Sequence, residues 1–198
     1  MAERNITPLR LPIKAGTIVL VLVALAALGF LGTSVFVVDQ TEQAVVTTFG
    51  KFTRIAEPGL HWKAPFGIQR NYNIKTKVVQ TEQFGFRTEQ TGVQATYADA
   101  SFPEESTMLT GDLNIVDVEW IIQYRIEDAR AWQFNVEDRH KTIRDISQSV
   151  INKLVGDRTI LDVIGSERLN IEFQGLELMN ETFAQYGMGI RVIAVKLQ

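Results

Sequence analysis

The sequence predicts an α+β fold behind a single membrane-spanning helix, and three observations support this prediction. The first is an uncharged, apolar run near the N-terminus, from Ala15 to Val38. The second is a set of later segments in which apolar and polar residues alternate, as in strands with one buried face. The third is the order of elements: strands come first, helices follow and one strand closes the chain. That order favours α+β over a doubly wound sheet.

The run from Ala15 to Val38 contains 24 residues and no charged side chain. At about 1.5 Å per residue, a helix of this length reaches about 36 Å, enough to cross a hydrocarbon core of about 30 Å with some tilt. A cleaved signal peptide has a shorter apolar region, and a helix buried in a soluble core is rarely apolar on every face. These are the two alternatives to a membrane span.

The charges on either side of this run predict its orientation. Three basic residues precede it within residues 1–14, and the first basic residue after it is Lys51. The positive-inside rule therefore places the N-terminus in the cytoplasm and residues 39–198 on the far side. In a bacterium this corresponds to a single pass through the inner membrane, with the domain in the periplasm.

Composition excludes several classes of protein. Lysine and arginine total 20 against 23 aspartate and glutamate, a net charge of -3, so the chain lacks the basic field of a nucleic-acid-binding protein. Cysteine is absent, which excludes disulfides, thiolate metal sites and cysteine nucleophiles. About 160 residues follow the apolar run, enough for one domain or two small ones. We divide them into a membrane-proximal part over 39–107 and a strand, helices and strand part over 108–198.

The first strand is predicted over Gln43 to Phe49, where β-branched residues are frequent. A turn follows at Pro58 and Gly59, because proline restricts φ and glycine accepts a positive φ. Alternating apolar and polar residues predict a second strand from Asn71 to Gln80.

Large apolar side chains alternate with cationic ones between this turn and a second break at Pro65 and Gly67. The alternating residues are Leu60, His61, Trp62, Lys63 and Phe66. This mixture suits a membrane–water interface, and we predict that the segment, with Pro58 and Gly59 at its start, dips back into the leaflet. The alternative is a hairpin whose aromatic residues pack into the core of the domain. The residues alone leave both readings open.

The middle of the chain predicts loops and then one clear strand. Residues 81–107 have turn-forming residues without a sustained period, so we expect short strands and a mobile loop around Ala98 to Ser106. From Ile115 to Ile126, six apolar residues alternate with polar ones and predict a strand with one wet face. They are Val116, Val118, Trp120, Ile122, Tyr124 and Ile126.

Helices are predicted between that strand and the end of the chain. Asp128 begins a short helical turn, and a second helix carries apolar residues at helical spacing: Ile143, Ile146, Val150, Ile151 and Leu154. Ser166 is predicted to cap a longer helix from Glu167 to Tyr186, whose apolar stripe is Leu169, Phe173, Leu176, Met179 and Phe183. Alternation from Ile190 to Leu197 predicts a closing strand.

The sequence contains no recognisable enzyme motif. It lacks HExxH, GxSxG, a P-loop and GxGxxG. Its two histidines, His61 and His140, are too few for a typical metal site, and the acidic pairs lie in predicted loops or at helix starts, where acidic residues favour the helix dipole. We therefore assign no catalytic residue, no cofactor and no metal ligand.

Four blocks of the chain resemble a known family. They are EQAVVTTFGKF at Glu42 to Phe52, EPGLHWKAPF at Glu57 to Phe66, MLTGDLNIVDVEWIIQYRI at Met108 to Ile126, and YGMGIRVIAVKLQ at Tyr186 to Gln198. In this order, directly behind an apolar helix, they resemble the SPFH (band 7, prohibitin-homology) domain of stomatins, prohibitins, flotillins and the bacterial HflK and HflC proteins. The third and fourth blocks resemble the HflK branch of this family most.

This resemblance implies a scaffold and not a catalyst. Similar proteins form large membrane-bound rings or cages, HflK together with HflC, which enclose a membrane AAA+ metalloprotease of the FtsH type and regulate its access to membrane proteins. The resemblance also implies that the segment matching EPGLHWKAPF lies against or within the outer leaflet. The partners it implies are the lipid bilayer, a homologous HflC-like subunit and that protease, in a homo- or hetero-oligomer.

The chain departs from the HflK pattern at both ends. HflK-like chains normally continue past the strand matching Ile190 to Leu197 into a long coiled coil that drives assembly, and their leaders are often longer and rich in glycine. We therefore expect that Gln198 is either followed by more chain in the whole protein or ends a short form that assembles through the domain alone. Two other functions remain: a stomatin-like or prohibitin-like organiser of membrane microdomains, and a membrane-anchored hydrolase, for which the sequence offers no nucleophile and base.

Overall fold

The computed structural model describes the backbone of residues 15–90, 96–97 and 102–198, with side chains except at positions 15, 26–28, 31, 33, 88–90 and 96–97. The predicted leader over residues 1–14 and residues 98–101 of the predicted loop lie outside this part of the chain. Within it, the chain has the predicted α+β architecture, in which all strand pairs are antiparallel.

The N-terminal helix is shorter than predicted. Helix α1 spans Ala15–Ser34, whereas Val35–Val38 forms strand β1, so the prediction of a helix as far as Val38 is wrong. Three of these four residues are valine, which favours a strand. The strand pairs with Gly59–Trp62 and buries Phe36 and Val38, which a continued helix would not do. A search confined to the described residues finds no helix that is long and apolar enough to cross a membrane.

A three-stranded sheet follows. Its strands are Gln43–Thr48 (β2), Lys51–Ala56 (β3) and Gln69–Ile74 (β5), in the order β3-β2-β5. Strand β4, Gly59–Trp62, pairs with β1 instead. Strand β2 confirms the first predicted strand, and Gly59 has a φ of 135°, positive as predicted. The second predicted strand is wrong beyond Ile74. Because Ile74 pairs with Gln43 at the start of β2, the ladder has no further partner and the chain turns away.

A second three-stranded sheet has the order β12-β11-β6. Its strands are Gln80–Phe84 (β6), Trp120–Ile126 (β11) and Ile190–Leu197 (β12). Two short strand pairs lie between β6 and β11 in the chain: Thr88–Gln90 (β7) with Thr96–Tyr97 (β8), and Thr107–Leu109 (β9) with Ile115–Asp117 (β10). Helix α2 spans Pro103–Ser106, so the predicted loop is wrong there. Proline in its first turn, followed by two glutamates, favours this helix start.

The strand predicted from Ile115 to Ile126 is interrupted. After Asp117, which pairs with Thr107, the chain changes partner, and Trp120 pairs with Phe84 of β6 and Leu197 of β12. At the crossing point the Val118 N–H donates to the Ser106 carbonyl at 2.9 Å. The predicted alternation is confirmed along β11, because all its even-numbered residues are buried.

Four helices lie between β11 and β12: Ala129–Phe134 (α3), Arg139–Gly156 (α4), Ile160–Ile164 (α5) and Arg168–Gln185 (α6). The helix start at Asp128 is confirmed, since its carboxylate accepts the N–H groups of Arg130 and Ala131 at 2.8 and 3.0 Å. The five apolar residues predicted to face the core from α4 are all buried.

The predicted cap and stripe of α6 are partly wrong. The N-cap position is Glu167 and not Ser166, and no side chain caps this helix start. Leu169 and Phe173 are exposed, while the buried face contains Ile171, Glu172, Gly175, Met179 and Phe183. Gly175 lies at the centre of this face, where the position of a Cβ would be 3.4 Å from Ile151 Cδ1 of α4. An apolar periodicity cannot reveal a contact surface built on a glycine.

Most of the core is one cluster formed by α3, α4, α6 and the β12-β11-β6 sheet, and Val45 and Ile74 of the first sheet join it. A smaller cluster contains Phe36, Val38, Ala44, Val46 and Ala56. Strand β1 thus packs on the first sheet, next to the helix that precedes it in the chain.

A carboxylate in α2 connects this helix to α4 and to the segment that follows β6. Glu105 accepts hydrogen bonds from Arg87 at 2.9 Å, from Arg144 of α4 at 2.5 Å and from the Gly85 N–H at 3.1 Å. Partial burial alone would raise the pKa of Glu105, but these bonds from Arg87, Gly85 and Arg144 outweigh it and lower the pKa to about 2. Arg144 also lies over the Phe84 ring, 4.5 Å from its centre.

Replacing Glu105 by glutamine is expected to lower the free energy of unfolding at neutral pH by about 2 kcal/mol, because charge-assisted bonds to two arginines are lost. The folded pKa of Glu105 lies below the ordinary value of 4.5 for a glutamate, so this contribution is complete above about 4.5 and disappears as the pH falls towards 2. The unfolding temperatures of the wild-type protein and the Glu105→Gln variant should therefore converge over that range. Glu104→Gln, an exposed neighbour, is the control. An equal loss in both variants would contradict the prediction.

Candidate membrane-interface site

The β1–β4 pair presents an apolar face to the outside. Its register places Val37 opposite Leu60 and Val35 opposite Trp62. Leu60 is 64% exposed and Trp62 is 60% exposed. These two side chains therefore do not pack into the core of the domain, as the alternative interpretation expected. Val37 is 66% exposed and also belongs to this apolar face. The sequence did not indicate it, because the predicted helix included this residue.

The structure separates the five predicted interface residues into two groups. Pro58 and Gly59 lie at the end of β4 that pairs with Val38, whereas Trp62 lies at the end next to α1, since its partner Val35 directly follows the helix. Over four residues of strand the two ends are about 10 Å apart. Leu60 lies between them.

Phe66 contacts the helix directly. Its ring packs edge-on against that of Phe30 in α1, with ring centres 6.4 Å apart, and 75% of the residue remains exposed. The backbone at Phe66 has a φ of 58°, which side chains larger than glycine rarely adopt, and Gly67 follows with 77°. The Lys63 N–H donates to the Ser34 carbonyl at 2.7 Å, so the end of α1 is bonded to this turn.

A second exposed phenylalanine lies beside this turn. Phe49 is 83% exposed at the tip of the β2–β3 hairpin, where its φ is 50° and Gly50 follows with 83°. Its N–H donates to the Ile68 carbonyl at 2.9 Å, which joins the hairpin to the Phe66 turn. The sequence analysis placed Phe49 in a strand. The same left-handed Phe followed by a Gly with positive φ occurs at Phe66 and Gly67. We call Val37, Phe49, Leu60, Trp62 and Phe66 the apolar rim.

Basic side chains accompany the apolar rim. Lys51 follows Gly50, and Lys63 and Arg70 flank the Phe66 turn. The Lys63 ammonium donates to Asn71 Oδ1 at 2.7 Å and lies 5.6 Å from the centre of the Phe36 ring. None of these three cations forms an ion pair with a carboxylate of the described residues. Apolar side chains next to unpaired cations suit contact with anionic lipid.

The two histidines lie on different elements. His61 Nε2 is 2.6 Å from the Glu57 carbonyl oxygen, and His140 Nδ1 is 3.3 Å from a carboxylate oxygen of Glu82. In the part of the chain that the structure describes, no three histidine or carboxylate side chains are placed to hold a metal ion.

Comparison with known proteins agrees with the resemblance of the four sequence blocks. The model of the SPFH domain / Band 7 family matches residues 36–198. The HflK protein of Treponema pallidum (strain Nichols) is 49% identical over 164 residues, which are 82% of this chain and 49% of that protein. The HflK protein of Borreliella burgdorferi is 36% identical over 165 residues, 83% of this chain and 52% of that protein.

A more distant relative carries a functional name. The modulator of FtsH protease HflK of Escherichia coli (strain K12) is 26% identical over 187 residues, which are 94% of this chain and 40% of that protein. The chain thus spans about half the length of these relatives, or less. The family match begins within β1 and includes every later element of the fold. The chain therefore belongs to the SPFH domain / Band 7 family.

Proposed function

We propose that this chain is a membrane-anchored scaffold subunit that assembles with homologous HflC-like subunits and regulates a membrane AAA+ metalloprotease of the FtsH type. The observation that carries the proposal is the 49% identity to an HflK protein over 82% of this chain. A relative at 26% identity is named a modulator of the FtsH protease. Regulation of a protease needs binding surfaces and no catalytic residue of its own, so we propose neither an enzyme activity nor a cofactor.

The proposed anchor is the apolar run that begins at Ala15. It crosses the bacterial inner membrane once, with the N-terminus in the cytoplasm and the SPFH domain in the periplasm. The uncharged sequence and its basic leader support this topology. In this arrangement residues 39–107 are the membrane-proximal part of the domain and residues 108–198 lie further out.

The proposed contact with the membrane surface is the apolar rim. Trp62 lies at the end of β4 next to α1, and Phe66 lies in the following turn, which is bonded to the end of α1. This is the side that faces the bilayer if α1 crosses it. Phe49 belongs to the same side. Exposed aromatic side chains are favourable at the interface and unfavourable in water, which supports this assignment. Pro58 and Gly59 shape the turn that starts β4 and lie further from the membrane.

The proposed assembly can be tested by extracting membranes that contain the full chain with a mild detergent. Size analysis and mass spectrometry of the co-migrating proteins then report the partners. We expect a particle far larger than the 22.3 kDa chain that contains a homologous SPFH-domain subunit and a membrane AAA+ protease. A carbonate wash before extraction should leave the chain in the membrane.

Three other outcomes would each contradict one part of the proposal. A large particle without a protease would overturn protease regulation and favour the microdomain organiser. A chain that migrates alone would overturn the scaffold, and a chain released by carbonate would overturn the anchor.

A further inference from the structure

We infer that the cavity between the end of α1 and the Phe66 turn binds the phosphate of an anionic phospholipid head group. The inference rests on the proposed anchoring of the chain in a membrane. The cavity has a volume of about 500 Å³. Gly32 and Val35 line it from the side of α1, and Phe66 and Tyr72 contribute apolar wall; Lys63 and Arg70 are its cations.

The charges that line this cavity have one sign. Lys63 and Arg70 contribute two positive charges, and no carboxylate is among the lining residues that the structure describes. Lys63 is half-buried and its ammonium donates to Oδ1 of Asn71, which is also a lining residue, so the ammonium has a defined position. Arg70 is exposed and pairs with no carboxylate of the described residues, so its guanidinium is available for a bidentate contact with a phosphate.

The position of the cavity favours a lipid over a soluble phosphate. Its wall includes the last turn of α1, and Phe66 at its edge contacts Phe30 within that helix. A lipid whose phosphate lay between the two cations would have its acyl chains along the apolar surface of α1, including the exposed Phe30. A free phosphate would gain only the two charges, and it would leave this apolar surface uncovered.

The inference can be tested with the full chain in vesicles of phosphatidylcholine that contain a minority of phosphatidylglycerol. Electron spin resonance of spin-labelled phosphatidylglycerol and phosphatidylcholine measures the fraction of each lipid that the protein immobilises. We expect the wild-type chain to prefer labelled phosphatidylglycerol by at least about fivefold, since each of the two basic residues near the surface contributes about that factor. The Lys63→Gln/Arg70→Gln variant should show a preference close to one.

The chain offers a matched control at the other end of β5. The Lys75→Gln/Lys77→Gln variant removes the same two charges from exposed positions that do not line the cavity. It should retain the preference. Thermal unfolding of both double variants shows whether they are folded. If both lose the preference equally, or if the cavity variant retains it while folded, the inference is wrong.

Two further measurements separate the possible explanations. Inorganic phosphate, compared with sodium chloride at equal ionic strength, should not reduce the preference beyond screening; a specific reduction would assign the site to free phosphate and overturn the lipid. The carbonate wash reports the anchor. A wild-type chain that is retained but shows no preference overturns the head-group site alone, whereas a chain that is released overturns the proposed function.

Discussion

Replacing Gly189 by alanine is expected to lower the free energy of unfolding by about 4 kcal/mol, through backbone strain of about 1–2 kcal/mol and overpacking of about 1–3 kcal/mol. Gly189 directly precedes β12 and has a φ of 69°, which favours glycine. A Cβ there would lie 2.6 Å from the Asp128 carbonyl oxygen and 2.8 Å from Ala131 Cβ. The Gly189 carbonyl also accepts the N–H groups of Glu127 and Asp128, so relief of the clash would disrupt the start of α3.

Gly50 is the matched control for this substitution. Its φ of 83° resembles that of Gly189, but nothing lies within 4 Å of the position that its Cβ would take. Gly50→Ala should therefore lose only the strain, about 1–2 kcal/mol. Thermal unfolding in detergent, followed by circular dichroism, measures both variants. Equal losses would show that the close approach at Gly189 is not decisive.

Replacing Trp120 by alanine should also lower the free energy of unfolding by about 4 kcal/mol. Trp120 is fully buried, and its ring stacks on that of Phe84 with centres 4.5 Å apart. It begins β11, the central strand of its sheet, and pairs with both neighbouring strands. The cavity left by the indole would lie between this sheet and the helices, where the packed core leaves little room to collapse.

The Trp120→Phe variant distinguishes the contribution of ring packing from that of the indole N–H group. The Trp120 Nε1–H is buried and has no hydrogen-bond partner in the described part of the chain. Phenylalanine keeps the stacking and removes this unsatisfied donor, which offsets part of the lost volume, so we expect a loss of about 1 kcal/mol. Trp62→Ala, at an exposed tryptophan, should leave the unfolding temperature unchanged. A Trp120→Phe variant as unstable as Trp120→Ala would contradict this account.

Patterns carried by consecutive residues predicted much of the fold. The alternation along β11, the helical spacing in α4 and the cap at Asp128 are all confirmed. Each of them depends on neighbours within a few positions, because a strand repeats every two residues and a helix every 3.6. The α+β class followed from the order of such segments.

The failed predictions share a different cause. Val35–Val38 leaves the helix because β4 is available as a partner, and the predicted strand after Asn71 stops at Ile74 because β2 has no residue left to pair. Leu169 and Phe173 belong to an apolar periodicity, but α6 turns its Gly175 face to α4. These results depend on segments far away in the chain.

The candidate site shows the same division. The sequence indicated Leu60, Trp62 and Phe66 by their chemistry, yet it placed Phe49 in a strand and Val37 in a helix. Strand pairing places Val37 beside Leu60, and the bond from the Phe49 N–H to the Ile68 carbonyl places Phe49 next to the Phe66 turn. Only the folded chain forms the cavity in which Lys63 and Arg70 lie together at the end of α1.

The sequence by itself determined the α+β class and the apolar run before the domain, because these are properties of residue type and local spacing, and its four blocks identified the family by resemblance. Only the tertiary structure decided where helix α1 ends, which face of α6 is buried and which side chains surround the cavity at Phe66. Those features depend on which distant segments pair and how closely their backbones approach. Pairing and close approach are set by the packing of the whole chain.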